Sequence, residues 1–156
     1  MADSPETRLA ELGITLPAAA APAGNYVPYV VTGNLVFLSG QLPSRDGVMQ
    51  FKGHLGKDVS VEEGYQAARL CAINLIAQIK AAAGGDLTRV KRVVRLGGFV
   101  AATADFTDHP KVMNGASDLL AEIFGDAGRH ARAAVGSPSL PLGVSVELDA
   151  IVELFN

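Results

Sequence analysis

The segment VSVELDAIVEL, residues 144–154, alternates throughout. Val144, Val146, Leu148, Ala150, Val152 and Leu154 fall on one side, and Ser145, Glu147, Asp149, Ile151 and Glu153 on the other. A period of two is the signature of a strand. A strand with one wholly apolar side belongs to a sheet whose corresponding face is covered. The other side reads either as a solvated face or, because Ile151 interrupts the acids, as a face that meets a partner. A carboxylate on a half-buried sheet face needs a partner of its own. Arg132, in the alanine-rich HARAAV just upstream, is the nearest cation in sequence. As a plain surface pair the two charges would contribute only ~0–1 kcal/mol.

The rest of the chain supplies the sheet and its cover. SPETRLAELG predicts a short helix with Ser4 as N-cap, Pro5 in the first helical position and Gly13 as the stop. A Pro- and Gly-rich connector follows. YVVTGNLVFLSGQLP predicts two strands around Gly33 and Asn34. LVFLS is apolar on both sides, so both of its faces are expected to be buried. Residues 44–58 read as a loop or ragged hairpin. Ser60 opens the clearest helix through a capping box with Glu63, placing Tyr65, Ala68, Ala72, Leu75 and Ile79 on one face, and Gly84 and Gly85 end it. TRVKRVVRLGGFVAA predicts a strand whose Gly97-Gly98 pair marks either a bulge or a close backbone approach. A second helix begins near Asp108, a plausible cap, with Pro110 in its first turn. Val112, Ala116, Leu119 and Ile123 form its buried stripe. The order strands, helix, strand, helix, strands predicts an α+β fold, a single mixed sheet with two helices on one face. The opposite face then needs another subunit.

Composition narrows the function. Only 19% of the 156 residues are charged while 49% are hydrophobic, which favours an oligomer. A net charge of -3 and the lack of a basic stripe speak against nucleic acid as a partner. The lone Cys71 allows no internal disulfide and points to a reducing, cytoplasmic setting. The first residues show no signal-peptide pattern, and no apolar run reaches the ~18 residues that span a membrane. His54, His109 and His130 lack ligand spacing, so no metal is expected. Cys71 reads as a small buried hydrophobe. The glycine pairs lack the GK[ST] of a phosphate loop.

Four segments in this order resemble the RidA/YjgF family, also called the endoribonuclease L-PSP family. They are AGNYVPYVVTGNLVFLSGQLP, the Ser60 helix ending in AAAGG, HPKVMNG, and ARAAVGSPSLPLGVSVELDAIV. The resemblance covers residues 22–154, which leaves residues 1–21 as an N-terminal extension ahead of an α+β domain at 22–156. It implies a chorismate-mutase-like fold and a homotrimer with sites in the clefts between subunits. Arg132 matches the family's arginine for the substrate carboxylate, and Glu147 the glutamate that holds the reacting water. Tyr26, in GNY, matches a site tyrosine. Ser39 and Gly40, in LSGQ, match the pocket serine and its neighbour, and Asn114, in VMNG, the asparagine that opens the second helix. The chain departs from the family at Ala134, where a cysteine often stands, in the length of the loop from Ser44 to Asp58, and in the helix at residues 4–13. These departures mark a divergent subgroup.

The implied activity is hydrolytic deamination of small 2-imino acids or their enamine tautomers, such as 2-aminoacrylate, to 2-keto acids and ammonia. No cofactor is called for. Two other readings stay open at this point: a non-catalytic module that binds small carboxylates, and a ribonuclease. The sequence pI of 5.5 disfavours the ribonuclease, because phosphate contacts dominate nucleic-acid affinity.

Overall fold

The computed structural model describes residues 3–22 and 24–156. Strands β1 (Tyr29–Thr32) and β2 (Leu35–Gln41) form a hairpin around Gly33 and Asn34. A small hairpin of β3 (Ser44–Arg45) and β4 (Val48–Met49) follows. The long strands are β5 (Val90–Ala101), β6 (Ala131–Ser137) and β7 (Val146–Leu154). The main sheet runs β1-β2-β7-β5-β6, antiparallel except for the β5–β6 pair. Helices α2 (Val61–Ala82) and α3 (His109–Phe124) share a core with one face of the sheet. The expected α+β architecture is what the chain adopts.

The alternation of β7 explains why it lies in the centre. Val146, Leu148 and Val152 are fully buried beneath the helices, and Ala150 and Leu154 nearly so. The expectation that β2 is buried on both faces does not hold within one chain. Val36 and Leu38 are buried, but Phe37 on the other side is 43% exposed. Val30, Phe37 and Ile151 are level across β1, β2 and β7 on this open side. Among the described residues only the helix side has a cover, and the apolar second side of β2 stays exposed in the single chain.

The helix ends follow local chemistry. Ser60 accepts from the Glu63 amide at 3.1 Å while the Glu63 carboxylate accepts from the Ser60 amide at 3.0 Å. Gly84 and Gly85 take φ of +71° and +94° and stop α2. Asp108 stands at the N-cap of α3 but its side chain makes no capping bond. Its backbone (φ -92°, ψ 31°) is not the extended conformation from which Ser4 and Ser60 cap their helices. The carboxylate pairs with Lys111 instead, at 3.8 Å. Gly97 and Gly98 mark close approaches, not a bulge. The Asp149 carboxylate occupies the space a Cβ on Gly97 would need, and Met113 that of Gly98.

Helix α1 (Pro5–Glu11) is capped by Ser4 and docks on the body. Leu9 is buried in the main core. Glu6 accepts from the Leu87 amide at 2.7 Å, and Arg8 Nη1 donates to the Ile123 carbonyl at the end of α3, at 3.3 Å.

Helices α2 and α3 touch backbone to backbone at Gly115, where a Cβ would meet the Tyr65 carbonyl. Backbone cannot yield as a side chain can. Gly115→Ala is therefore expected to cost about 1–3 kcal/mol of unfolding free energy in urea titration, despite alanine's better helix propensity. A stabilised variant would show that the helices do not sit this close.

Candidate functional site

The six residues singled out from the sequence fall into two groups. Arg132 lies on β6, level with Leu96 of β5, which is level with Ala150 of β7. Leu96 and Ala150 are buried under the helices, so Arg132 points to the helix side of the sheet. There its Nη1 donates to Asn114 Oδ1 and to Ser117 Oγ, both at 3.0 Å and both on α3. Arg132 makes no ion pair among the described residues. Its cationic group is held by neutral acceptors, and both Nη1 hydrogens are engaged. The edge formed by Nε and Nη2 makes no hydrogen bond among the described residues.

Glu147 lies on β7, level with Phe99 of β5, which is level with Val135 of β6. These side chains point to the open side. Arg132 and Glu147 of one chain therefore face opposite sides of the sheet. The pairing that their nearness in sequence suggested does not form within the chain, because the parallel register of β5 and β6 sets Arg132 on the face opposite Glu147.

The second group is built by an irregularity in β2. Leu38 pairs with Ala150 and Gln41 with Leu148, so three steps on β2 match two on β7, and Ser39 and Gly40 bulge. The Glu147 carboxylate sits where a Cβ on Gly40 would be; only glycine allows this approach. Ser39 is anchored twice, its amide to the Pro28 carbonyl at 2.9 Å and its hydroxyl to the Val27 carbonyl at 2.7 Å. Tyr26, 52% exposed, lines a cleft with Ser39 and Gly40. Gln41 and Gln78 also line it, the latter tied to the connector through the Ala20 carbonyl at 2.8 Å. Burial, and then the Asp149 carboxylate, raise the Glu147 pKa above the ordinary glutamate value. The Glu147 carboxylate has no hydrogen bond among the described residues, so nothing there offsets the desolvation.

Two residues next to Arg132 were missed: Ser117 and His130. Ser117 Oγ lies 2.9 Å from His130 Nε2. The signal was in the spacing, since Ser117 is one helical turn after Asn114 and His130 two residues before Arg132 on the same strand side. Cys71 is fully buried with its pKa pushed up by desolvation, in keeping with a packing role. Among the described residues no group of His, Cys, Asp and Glu is placed to hold a metal ion, and no helix is long and apolar enough to cross a membrane.

A family model described as "YjgF/chorismate mutase-like, putative endoribonuclease" matches residues 6–155. The chain belongs to this family. It is 54% identical to protein TCP17 of Trypanosoma cruzi over 149 residues, 95% of this chain and 92% of that one. A crystal structure from Agrobacterium tumefaciens, of the protein Atu1372 with unknown function, superposes with a TM-score of 0.91 at 52% identity, covering 97% of this chain and 92% of that one. Escherichia coli TdcF with bound serine superposes with a TM-score of 0.63 at 25% identity, covering 88% and 94%. The resemblance carried by LSGQLP and the Arg132 segment thus holds for the family and its fold.

The half-buried, unpaired Glu147 has a consequence for stability. A carboxylate whose pKa is raised on folding binds its proton more tightly in the native state, so its contribution worsens as pH rises. Glu147→Gln should melt at a higher temperature than wild type well above the glutamate range, and the gain should vanish as pH falls below the ordinary value of 4.5. Thermal melts across that range check it. An equal difference at both ends would show that Glu147 carries no such strain.

Proposed function

We propose that this member of the YjgF family hydrolyses small 2-imino acids, or their enamine tautomers, to 2-keto acids and ammonia, at clefts between the subunits of a homotrimer. The observation that carries the reading is Arg132. Its guanidinium is anchored by Asn114 and Ser117 through Nη1 alone, and its charge is not neutralised by any carboxylate within ion-pair distance among the described residues. The remaining planar edge fits a carboxylate bidentately. TdcF, of the same fold, holds serine, a small amino acid with the same carboxylate group.

In this reading Arg132 of one subunit fixes the substrate carboxylate, and Glu147 beside the β2 bulge of the next subunit receives a proton from water. The water oxygen bonds to the imine carbon and the carbon–nitrogen π electrons move to nitrogen, which takes up a proton. The carbinolamine then loses ammonia as its hydroxyl proton departs, leaving the keto acid. A raised pKa makes Glu147 a better base than an ordinary carboxylate and brings it nearer to neutral pH, where one group can both take a proton and return it. Tyr26 packs over or hydrogen-bonds the substrate, and Ser39 and Gly40 shape the wall. A protonated imine is already electrophilic, so the chemistry needs no cofactor. The split of the two charged groups between sheet faces supports a shared site, since one chain alone cannot aim both at one molecule. Val30, Phe37 and Val135, each about half exposed on the open face, support an assembly that covers them.

Sedimentation equilibrium is expected to give three times 16.2 kDa; a stable monomer at micromolar concentration would remove the shared site. The catalytic test generates 2-aminoacrylate with a pyridoxal-phosphate dehydratase and follows pyruvate release, alongside calorimetric titration with a keto acid. Arg132→Ala should weaken binding and turnover together, by about 1.5–3 kcal/mol, the scale of a charge-assisted contact. Glu147→Gln should leave keto-acid binding nearly intact and slow hydrolysis by roughly 10²–10⁴, down to the solvent rate at most. Binding through Arg132 with no acceleration of pyruvate release would favour the non-catalytic carboxylate-binding module instead.

A further inference from the structure

The groups behind Arg132 form a hydrogen-bonded series with only one consistent direction. His130 Nδ1 lies 2.7 Å from the Gly128 carbonyl oxygen. A carbonyl can only accept, so Nδ1 carries a proton. Burial holds the His130 pKa below the ordinary histidine value, against the opposing effect of the Gly128 bond and with a smaller contribution from the Arg132 charge. The ring is thus neutral and its Nε2 accepts. The donor to Nε2 is the Ser117 hydroxyl at 2.9 Å. With its one proton committed there, Ser117 Oγ can only accept from Arg132, which donates to it at 3.0 Å. On the other side Asn114 Oδ1 takes the second Nη1 hydrogen at 3.0 Å.

We propose that Ser117 and His130 are positioning residues, a directional relay that locks the Arg132 guanidinium with its Nε–Nη2 edge turned to the substrate carboxylate. The inference rests on the carboxylate-binding role of Arg132 proposed above. Three features of the geometry support it. The relay consists of neutral groups, so it orients the cation without neutralising it. It ends on a backbone carbonyl in the turn between α3 and β6, which is a fixed point and not a mobile side chain. And it leaves free the two donors that make a bidentate fork.

The test measures pyruvate affinity by calorimetry and the KM and kcat of imine hydrolysis for Ser117→Ala, His130→Leu, the double variant and Ser117→Thr, with Arg132→Ala as reference. A loosened clamp loses interactions made in ground and transition states alike, so KM should rise with little change in kcat. Each single variant should raise the pyruvate Kd by roughly 5- to 10-fold, the scale of one neutral hydrogen bond. Because the two residues act in series, the double variant should raise the pyruvate Kd no further than either single one, whereas independent contributions to binding would add; a merely structural role would not confine the loss to Kd and KM. Ser117→Thr, which keeps the hydroxyl, should stay within about 2-fold of wild type on the same scale. Should Ser117→Ala fail to fold, His130→Leu and Ser117→Thr still decide the matter. If Arg132→Ala weakens binding while Ser117→Ala and His130→Leu do not, or if their effects add, the relay is wrong and the clamp stands. If wild type binds no pyruvate, or Arg132→Ala changes nothing, the clamp fails and takes the relay with it.

Discussion

The helix-covered side of β7 is an unbroken column of buried aliphatics, from Val146 to Leu154. Taking that column out of water requires α2 and α3 on one face and a paired strand on each flank. Once β7 is central, the side chains in between must project to the open face, whatever their charge. Glu147 and Asp149 are therefore carried there by the same hydrophobic pattern that builds the core. Gly40 and Gly97 let these carboxylates lie against the backbone of the neighbouring strands. The chemistry of the open face is thus a by-product of the burial of the closed one.

Much of the architecture was readable because it rests on local rules. Alternation in residues 146–154, the Ser60–Glu63 box and the glycines after α2 each involve neighbours in sequence, and each formed as expected, whereas Ser145, expected on the open side, is fully buried ahead of the strand. Asp108 shows the limit of such rules. A capping residue type is not a cap unless the backbone is extended there, and Pro110 so near the start does not guarantee that. The site was legible only as a set of residues. That Arg132 and Glu147 project from opposite faces depends on a parallel β5–β6 pairing and on register, which are tertiary facts. Ser117 and His130 escaped notice because serine on a helix and histidine before a strand are unremarkable until folding sets them 2.9 Å apart.

Charge separation within the chain has an energetic logic. A buried Arg–Glu pair in one subunit would gain Coulomb energy but leave neither group available to a ligand, and its desolvation often exceeds the gain. Here the arginine is oriented by neutral acceptors and the glutamate is left raised in pKa with no hydrogen-bond partner. Both groups are only partly buried, and each keeps hydrogen-bonding capacity that no described residue takes up.

Arg8 contributes in a different way. Its Nη1 reaches the Ile123 carbonyl, 115 residues away in sequence, one of the carbonyls that a helix C-terminus leaves without an internal partner. The last turn of α3 has no basic residue of its own. A helix as short as α1 is marginal alone, so undocking it would also take this partner from the last turn of α3 and couple the two openings. The turn that frays is the one remote from Asn114. Amide exchange could then be fast at the tail of α3 while its first turns, with Asn114 and Ser117, stay protected, and the N-terminal segment would act as a breathing latch that leaves the guanidinium's seat undisturbed.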